Sequence, residues 1–363
     1  MTLEKIFQKH DNNEELLRED LYSLLTLRKE DEIRALIDKA YEVKLKHVGK
    51  KVFFRGLIEM SNICNKDCFY CGIRKSNKTV ERYTMKEEEI LAGAKFAFEN
   101  NYGSMVLQSG ERSDEMFISF VEDIITKIKT LSEGKLGITL SLGEQSLETY
   151  KRWFNAGAHR YLLRIETSNQ TLYGKLHPAD HNFQKRKNCL VLLKQAGFQV
   201  GTGVMIRLPF QTYDDLVNDI IFFKEMDIDM IGMGPYLLSN NTPLANEPKE
   251  NYPIDEDVYQ LAIKMIAVTR IYLKDVNIAA TTALQAIKAF GREMGLKAGA
   301  NIIMPNVTDT LYRPSYQLYD NKPCLDENAD DCVNCLESRI LNIDEEIGYG
   351  EWGDSIHFRN KIQ

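Results

Sequence analysis

The stretch Val52-Phe53-Phe54-Arg55-Gly56-Leu57-Ile58-Glu59 is followed shortly by Cys64-Asn65-Lys66-Asp67-Cys68-Phe69-Tyr70-Cys71. The first run is β-rich, and the second separates three cysteines by three and then two residues. Three such thiolates can hold three irons of a 4Fe–4S cube and leave the fourth iron open to a small chelating ligand, whereas the ferredoxin run supplies a fourth cysteine. Zinc is the alternative, but its sites usually have a fourth Cys or His nearby, and His47 and His159 are distant in sequence.

From Val52 onward, short β-rich runs alternate with longer helical runs. Eight such alternations predict an α/β protein with parallel strands closed into a (β/α)8 TIM-type barrel. A six-stranded open barrel is the alternative, because the last two units have weaker patterns. We expect an N-terminal helical cap over residues 1–50, the barrel over 51–305 and a C-terminal extension over 306–363. The predicted strands are Val52–Glu59, Ser104–Gln108, Leu136–Leu142, Arg160–Glu166, Gln199–Met205, Met230–Pro235, Asn277–Thr282 and Asn301–Met304.

Composition excludes several classes of partner. The formal net charge of −7 argues against a nucleic-acid partner, and no apolar run is long enough for a membrane span. The polar, mixed-charge start of the chain is not a secretory signal. Six of the seven cysteines fall into two tight triplets, a partition that indicates metal ligation by reduced thiols in the cytoplasm. The remaining one, Cys189, is expected to be a buried, inert thiol in a helix.

Several predicted strands are followed directly by a polar cluster, just as the first strand is followed by the cysteine loop. These clusters are Gln108-Ser109-Gly110-Glu111 after the second strand, Leu142-Gly143-Glu144 after the third and Glu166-Thr167-Ser168-Asn169 after the fourth. The working face of such a barrel lies at the carboxyl ends of its strands. Their repeated placement on one rim therefore predicts a shared site.

The predicted barrel interior is unusually polar. Alternation along the fourth strand puts Arg160, Leu162, Arg164 and Glu166 on one face and leaves Tyr161, Leu163 and Ile165 on an apolar face suited to packing against helices. Buried charge must be paired or must bind something. An internal Arg–Glu network is one interpretation. The other is a cavity for a polar, partly anionic substrate, since guanidinium groups suit carboxylates.

A second triplet, Cys324, Cys332 and Cys335, has seven and two residues between its members. This spacing is looser and less specific than the first. A second iron–sulfur cluster, of the 2Fe–2S or 4Fe–4S type, is the preferred interpretation, with zinc or a vacant site as alternatives.

With both triplets and the rim clusters, the chain resembles the radical SAM (S-adenosylmethionine) maturases of the HydE type. These proteins belong with biotin synthase and methylornithine synthase and help to assemble the diiron active site of FeFe-hydrogenase. The resemblance extends from about residue 45 to about residue 335. It rests on Ser61–Cys71, Leu107–Glu111, Thr139–Glu144, Arg160–Asn169, Gly234–Glu247, Ala280–Ala283, Gly299–Asn306 and Tyr316–Tyr319.

The resemblance implies a role for individual residues. Cys64, Cys68 and Cys71 would ligate a 4Fe–4S cluster that binds SAM, and Tyr70 would lie against the adenine of SAM. The other residues matching SAM-binding positions are Gln108, Ser109, Gly110, Glu166, Arg186 and Tyr316. Those matching cavity-lining substrate positions are Thr139, Ser141, Arg160, Arg164, Thr281, Thr282, Met304 and Tyr319, where ordinary barrel packing is the alternative for the neutral members. Arg164 with the two threonines would hold a carboxylate.

The activity implied by the resemblance is reductive cleavage of SAM to methionine and a 5′-deoxyadenosyl radical. The implied substrate is a small iron complex with cysteine, carbon monoxide and cyanide ligands, supplied by another hydrogenase maturase, a tyrosine lyase. An electron donor such as ferredoxin or flavodoxin would be a further partner. Two alternatives stay open: a radical SAM amino-acid mutase of the methylornithine synthase type, and an iron–sulfur carrier or scaffold with no radical activity.

One segment departs from the family pattern. Arg207 and Phe210 stand where relatives commonly have glycines, and glycine permits close approach of the backbone to a ligand. The bulky pair is expected to narrow the SAM end of the site or to alter the substrate.

Overall fold

The computed structural model describes residues 2–326 and 329–362, and the side chains of residues 329–334 and 362 lie outside that description. The strands are β1 Lys51–Ser61, β2 Ser104–Ser109, β3 Gly137–Ser141, β4 Arg160–Leu162, β5 Gln199–Thr202, β6 Met205–Ile206, β7 Met230–Ile231, β8 Gly234–Pro235, β9 Asn277–Ile278, β10 Ile302–Ile303 and β11 Glu346–Ile347. The helices are α1 Leu3–Asp11, α2 Arg18–Leu25, α3 Glu30–His47, α4 Glu87–Glu99, α5 Glu115–Leu131, α6 Leu147–Asn155, α7 Gln170–Leu176, α8 Phe183–Gln195, α9 Tyr213–Glu225, α10 Val258–Leu273, α11 Thr282–Ile287, α12 Gly291–Lys297, α13 Ala329–Leu341 and α14 Ile356–Ile362.

Eight parallel strands form the barrel in the order β10-β1-β2-β3-β4-β5-β7-β9. A parallel bridge between Ala279 and Ile302 joins the two ends of this order. Two backbone hydrogen bonds of 2.9 Å support it, one from Asn301 N–H to the Ile278 carbonyl and one from Ala280 N–H to the Ile302 carbonyl. The predicted (β/α)8 TIM-type barrel is therefore confirmed, with a short closing seam, and the six-stranded alternative is not supported.

Several predicted strands are longer than the observed ones. Regular pairing of β4 ends at Leu162, because the next backbone groups bond to a side chain. The Thr202 hydroxyl donates to the Leu163 carbonyl at 2.8 Å and accepts from Ile165 N–H at 3.1 Å. The seventh predicted strand was also too long. Thr282 begins helix α11 and Thr281 precedes it as the N-cap.

The two faces of the fourth strand are used as alternation predicts. The Tyr161, Leu163 and Ile165 side chains are at most 1% exposed and belong to the main hydrophobic core. Tyr161 stacks on Trp153 of α6 with 6.4 Å between ring centroids. Helices in this outer layer begin where a short polar side chain accepts a backbone N–H of the first turn; these N-caps are Asp114, Ser146, Asn169, Asn182, Thr212 and Asp257.

The N-terminal helices lie against this outer layer. α3 packs on α10, and α2 packs on α9 and α10. The buried Lys264 ammonium of α10 donates to the Leu25 and Leu27 carbonyls at 2.6 and 2.8 Å, which ties α2 and the turn after it to the barrel. The division of the chain at residues 50 and 305 stays a prediction. No helix in the described part of the chain is long and apolar enough to cross a bilayer.

Residues 348–355, here called the base plug, seal the amino-terminal end of the barrel. The fully buried Arg160 donates to the Asp354 carboxylate at 2.6 Å and to the Trp352 carbonyl at 2.8 Å. Arg55 and Asn277 donate to the Gly353 carbonyl at 3.1 and 2.9 Å. The end of the chain thus pairs with charge inside the barrel and leaves the opposite end for a site.

Candidate active site at the carboxyl ends of the strands

A cavity of about 350 Å³ opens at the carboxyl ends of the strands. The residues predicted from sequence that line it are Cys64, Cys68, Tyr70, Cys71, Gln108, Ser109, Gly110, Ser141, Arg164, Glu166, Arg186, Thr281, Thr282, Met304, Tyr316 and Tyr319. The rim clusters after β1, β2, β3 and β4 therefore meet at one site, as expected for this face of a barrel.

The three clustered cysteines face this cavity from the loop after β1. Burial raises the pKa of the Cys68 thiol to about 12, and burial also raises the pKa of Cys71 well above its ordinary value. Such thiols stay protonated unless a metal displaces the proton, so the donor set suits a metal centre. Among the described residues, no group of three His, Cys, Asp or Glu side chains is placed to hold a single metal ion. A cube spreads its thiolates over separate irons, so these residues fit an iron–sulfur cluster better than zinc.

Gly110 lets the loop after β2 lie directly on the cysteine loop. A Cβ on this residue would stand 2.4 Å from the Ile63 carbonyl oxygen and 2.8 Å from the Cys64 Cβ. Its backbone N–H donates to the Ser61 carbonyl at 2.8 Å, and the next N–H, of Glu111, lies 3.3 Å from Cys64 Sγ. The absence of a side chain at residue 110 is therefore required for the approach of the two loops.

A network of opposite charges lies beside the cysteine loop. Arg186 Nη1 is 3.0 Å from a Glu111 oxygen and 3.4 Å from a Glu144 oxygen, and Lys66 Nζ is 3.3 and 3.1 Å from the same two carboxylates. Burial lowers the pKa of Arg186, but the two carboxylates more than offset this and raise it well above its ordinary value. Sequence reasoning placed Glu111 and Glu144 on the rim without assigning them a role, and it did not single out Lys66.

Arg164, Glu166 and Thr281 present unused hydrogen-bonding atoms in the lining of the cavity. Arg164 Nη2 lies 3.0 Å from Glu166 Oε2, but the pair does not reach hydrogen-bond geometry. Within the described structure, the buried atoms Arg164 Nε, Glu166 Oε2 and Thr281 Oγ1 have no hydrogen-bond partner. Buried polar groups are normally satisfied, so these atoms mark a place where a polar ligand fits.

Two histidines that sequence reasoning missed lie beside the cysteine loop and also line the cavity. His177 Nε2 is 3.1 Å from the Tyr70 hydroxyl, and His181 Nε2 accepts from Asp67 N–H at 3.2 Å. The His177 ring stacks on Tyr173 with 3.9 Å between centroids. The four-residue spacing of the histidines was the available signal, but such spacing is common and carries no metal motif by itself.

The segment after β10 covers one side of the cavity. Lys322 Nζ lies 2.5 Å from a Glu59 carboxylate oxygen and donates to the Tyr316 carbonyl at 3.0 Å. Gln108 donates to the Tyr316 hydroxyl at 3.2 Å. This segment fixes Tyr316 and Tyr319 against the strands, and neither Lys322 nor Glu59 was assigned to the site from the sequence.

Thr139 and Arg160 lie beneath the cavity instead of lining it. Arg160 donates to Thr139 Oγ1 at 2.9 Å and also to Ser104 Oγ, in addition to its bonds to the base plug. With these partners its guanidinium has an internal network, as in the alternative interpretation, but its charged partner is Asp354 and not a glutamate. Their contact with a substrate stays a prediction.

Arg207 and Phe210 also lie outside the lining of the cavity. Both have left-handed backbone, with φ of 66° and 65°. Their side chains pack elsewhere: Arg207 Nε donates to the Ile254 carbonyl at 3.3 Å, and Phe210 lies under the Lys175 ammonium at 4.2 Å. The expectation that these side chains narrow the cavity directly is therefore not what the structure shows.

The second triplet is described only in part. Cys324 is half-buried, Cys335 is exposed, and the side chain of Cys332 lies outside the described residues. The cluster predicted there stays a prediction. Cys189 is buried, as expected, with its Sγ 3.9 Å from the Gln145 carbonyl oxygen.

Comparison with known proteins identifies clear relatives. Residues 58–223 match the family model described as the radical SAM superfamily. The chain is 44% identical over 354 residues to the [FeFe] hydrogenase maturase subunit HydE of Thermotoga maritima, with 97% of both chains covered. It is 27% identical to 3-methylornithine synthase of Methanosarcina acetivorans, covering 83% of this chain and 82% of the relative. Among solved structures, methylornithine synthase (PylB) superposes with a TM-score of 0.80 at 23% identity, covering 95% of this chain and 98% of that one.

Proposed function

Because this chain belongs to the HydE family of radical SAM [FeFe]-hydrogenase maturases, we propose that it cleaves SAM reductively and acts on a small iron complex during assembly of the hydrogenase diiron site. The observation that carries the proposal is the placement of three cysteines beside a cavity whose lining has unused polar atoms. A carrier or scaffold without radical activity is not supported, because the family is one of radical SAM enzymes.

The cofactors of this superfamily are a 4Fe–4S cluster and SAM, and when bound they supply a 5′-deoxyadenosyl radical by one-electron cleavage of a carbon–sulfur bond. In this chain Cys64, Cys68 and Cys71 would hold the cluster. Backbone N–H groups of Lys66 and Glu111 lie 3.4 and 3.3 Å from Cys64 Sγ, where they favour a thiolate.

The residues proposed to bind SAM lie around the cysteine loop. Gln108 and Ser109 end β2 directly beside it, Gly110 follows them, and Glu166 and Arg186 also line the cavity. Tyr70 would contact the adenine, and Tyr316 is held in place by Gln108. These residues would bind and orient SAM beside the cluster, and the segment containing Tyr316 would limit access of water.

The substrate would lie deeper, toward β4 and α11. Arg164 and Thr281 carry the unpartnered Nε and Oγ1 atoms, and a guanidinium with hydroxyl groups suits a carboxylate. Thr282 at the start of α11 adds a second hydroxyl to the lining. We propose that they hold the carboxylate of a cysteine ligated to iron with carbon monoxide and cyanide. Apolar lining residues such as Leu57, Leu162 and Met304 suit the diatomic ligands.

The partners of the chain are a small-molecule substrate and other hydrogenase maturases. We further propose that a tyrosine lyase supplies the iron complex and that ferredoxin or flavodoxin supplies the electron. We also propose that this chemistry takes place in the cytoplasm, a compartment that would keep the thiols of the two cysteine triplets reduced.

The activity is tested by anaerobic reconstitution with iron and sulfide, followed by reduction in the presence of SAM and measurement of 5′-deoxyadenosine. The wild type should form the nucleoside and Cys68→Ser should not. Cys189→Ala is the matched control, because this buried thiol lies outside the cysteine loop, and it should behave as the wild type. Absence of nucleoside from the wild type under several reductants would contradict radical activity.

A second experiment distinguishes the maturase from an amino-acid mutase. A host that lacks its own maturase should regain hydrogenase activity when it expresses this chain, and should not when it expresses Cys68→Ser. Nucleoside formation in vitro without restored hydrogenase activity would favour the mutase.

A further inference from the structure

Residues 317–322, here called the gate loop, lie between the cavity and solvent. They contain no helix or strand, and each of them is half-buried or exposed. Leu318, Tyr319 and Lys322 also line the cavity. Lys322 Nζ donates to the Tyr316 carbonyl at 3.0 Å, so the two ends of the loop lie close together. A short loop that is closed at its base in this way can move as one unit.

The chain on either side of the gate loop is fixed. Tyr316 is 1% exposed, and its hydroxyl accepts from Gln108 of β2 at 3.2 Å. The buried Arg313 donates to the Thr308 and Cys324 carbonyls at 2.7 and 2.9 Å. These anchors leave the loop between them as the part that can move.

Hydrogen bonds join the gate loop to two neighbouring segments. Gly72, directly after Cys71, donates its N–H to the Leu318 carbonyl at 3.0 Å, and Asp320 N–H donates to the Leu238 carbonyl at 3.0 Å. These two N–H groups, here called the reporter amides, are protected from solvent only while the loop is closed. Neutral hydrogen bonds of this kind contribute modestly to stability.

The strongest contact of the gate loop points into the barrel. Lys322 Nζ lies 2.5 Å from Glu59 Oε1, and the two side chains are 9% and 2% exposed. Glu59 is fixed on β1, where its Oε2 accepts from the Asn306 side chain at 3.2 Å. Separating this pair would leave a nearly buried carboxylate without its counter-charge, which is costly.

We propose that the gate loop opens to admit ligands to the cavity, and that the Lys322–Glu59 ion pair is the latch that holds it closed. Opening breaks the ion pair and frees both reporter amides together. The proposed function supplies the identity of one ligand, SAM, whereas the movement of the loop depends only on the contacts described above.

Hydrogen exchange of the apoprotein, followed by mass spectrometry with residue-level fragmentation, tests the latch. Lys322→Met keeps a long side chain and removes its charge. The reporter amides of Gly72 and Asp320 should exchange about tenfold faster than in the wild type, as expected for the loss of a hydrogen bond to a charged group. The Gly110 amide should not change, because its acceptor at 2.8 Å lies outside the gate loop.

Two further variants complete the exchange experiment. Glu59→Gln removes the charge from the other side and should speed exchange of the same amides, and it serves if Lys322→Met does not fold. Asp354→Asn breaks a buried pair at the opposite end of the barrel and controls for a general loss of stability, so it should not favour the reporter amides over Gly110. Unchanged reporter amides in a folded latch variant would overturn the proposal, as would an equal rise at Gly110.

The exchange of bound ligand tests whether the loop is an entrance. Radiolabelled SAM is bound to the reconstituted protein without reductant and is then chased with unlabelled SAM. Lys322→Met should both bind and release SAM several-fold faster than the wild type. Faster release with an unchanged association rate would indicate lost affinity and would overturn the gating role. A wild type that binds no SAM would contradict the proposed function, while hydrogen exchange would still decide whether the latch exists.

Discussion

Replacing Asp354 with Asn should destabilise the barrel from its base. The Arg160 guanidinium is fully buried, and Asp354 is its ion-pair partner within the described structure, at 2.6 Å. Removing one member of a buried pair costs about 3–5 kcal/mol, because the remaining charge is left uncompensated. The Asp354 side chain is 27% exposed and Arg160 keeps three neutral acceptors, so we expect about 3 kcal/mol, the lower end of that range.

The measurement is urea denaturation of the apoprotein followed by circular dichroism, comparing midpoint and slope. Asp344→Asn is the matched control, since Asp344 pairs with Lys50 at 2.7 Å while 86% exposed. Breaking an exposed pair of this kind should leave the midpoint close to that of the wild type, because solvent screens both charges. Equal midpoints for the two variants would refute the reasoning that the base plug stabilises the chain through a buried charge.

The pH dependence gives the same prediction an independent check. Burial raises the pKa of Asp354, but hydrogen bonding to His159 and the charge of Arg160 bring it below its ordinary value. A lowered folded-state pKa means that the carboxylate contributes stability above its unfolded pKa, and that this stability is lost as the pH falls through the folded pKa. The difference between wild type and Asp354→Asn should therefore be largest near neutrality and should shrink below about pH 4.

Three further outcomes follow from the site and from the C-terminal helix. Arg164→Ala should reduce turnover of the iron complex by roughly tenfold or more while SAM cleavage without substrate persists; parallel loss of both would count against a carboxylate role. Gly110→Ala should lower the iron content after reconstitution, because its Cβ would meet the Ile63 carbonyl at 2.4 Å. A hydrogen bond to Asp275 raises the pKa of His357 in the folded protein. The charged histidine therefore adds stability below the pKa that it has in the unfolded chain, and this stability is lost as the pH rises through the folded-state pKa. His357→Gln should flatten the fall in unfolding free energy over this pH range, measured by urea denaturation, and an unchanged pH dependence would contradict the reasoning.

The sequence was sufficient for the barrel, because each strand–helix unit carries its own local pattern. It overestimated the fourth strand, since pairing there is interrupted by a side chain of β5. The Thr202 hydroxyl occupies the ladder positions of Leu163 and Ile165, and this contact is not visible in the fourth strand itself. The base plug was missed for a related reason: its partners, Arg55 and Arg160, are hundreds of residues away and give no local signal.

The part of the site that lies on strand ends could be predicted, because alternation and rim position are properties of a short segment. Arg164 and Glu166 line the cavity as the alternation of the fourth strand requires. His177 and Lys322 lie on connecting segments whose path depends on tertiary packing. Their role becomes visible only when the contacts to Tyr70 and Glu59 are known.

Arg207 and Phe210 are connected to the site without lining its cavity. Left-handed backbone costs a residue with a side chain about 1–2 kcal/mol relative to glycine, so the surrounding structure must offset two such positions. Here the offset comes from the segment of residues 249–254: Arg207 donates to the Ile254 carbonyl and lies over the Tyr252 ring, and Phe210 N–H donates to the Asn251 carbonyl. Phe210 and Tyr252 also pack on the small apolar cluster that contacts Tyr70. These two residues therefore tie a surface segment to the support of the cysteine loop, and a change at either one would affect the reaction through the position of Tyr70 and not through the volume of the cavity.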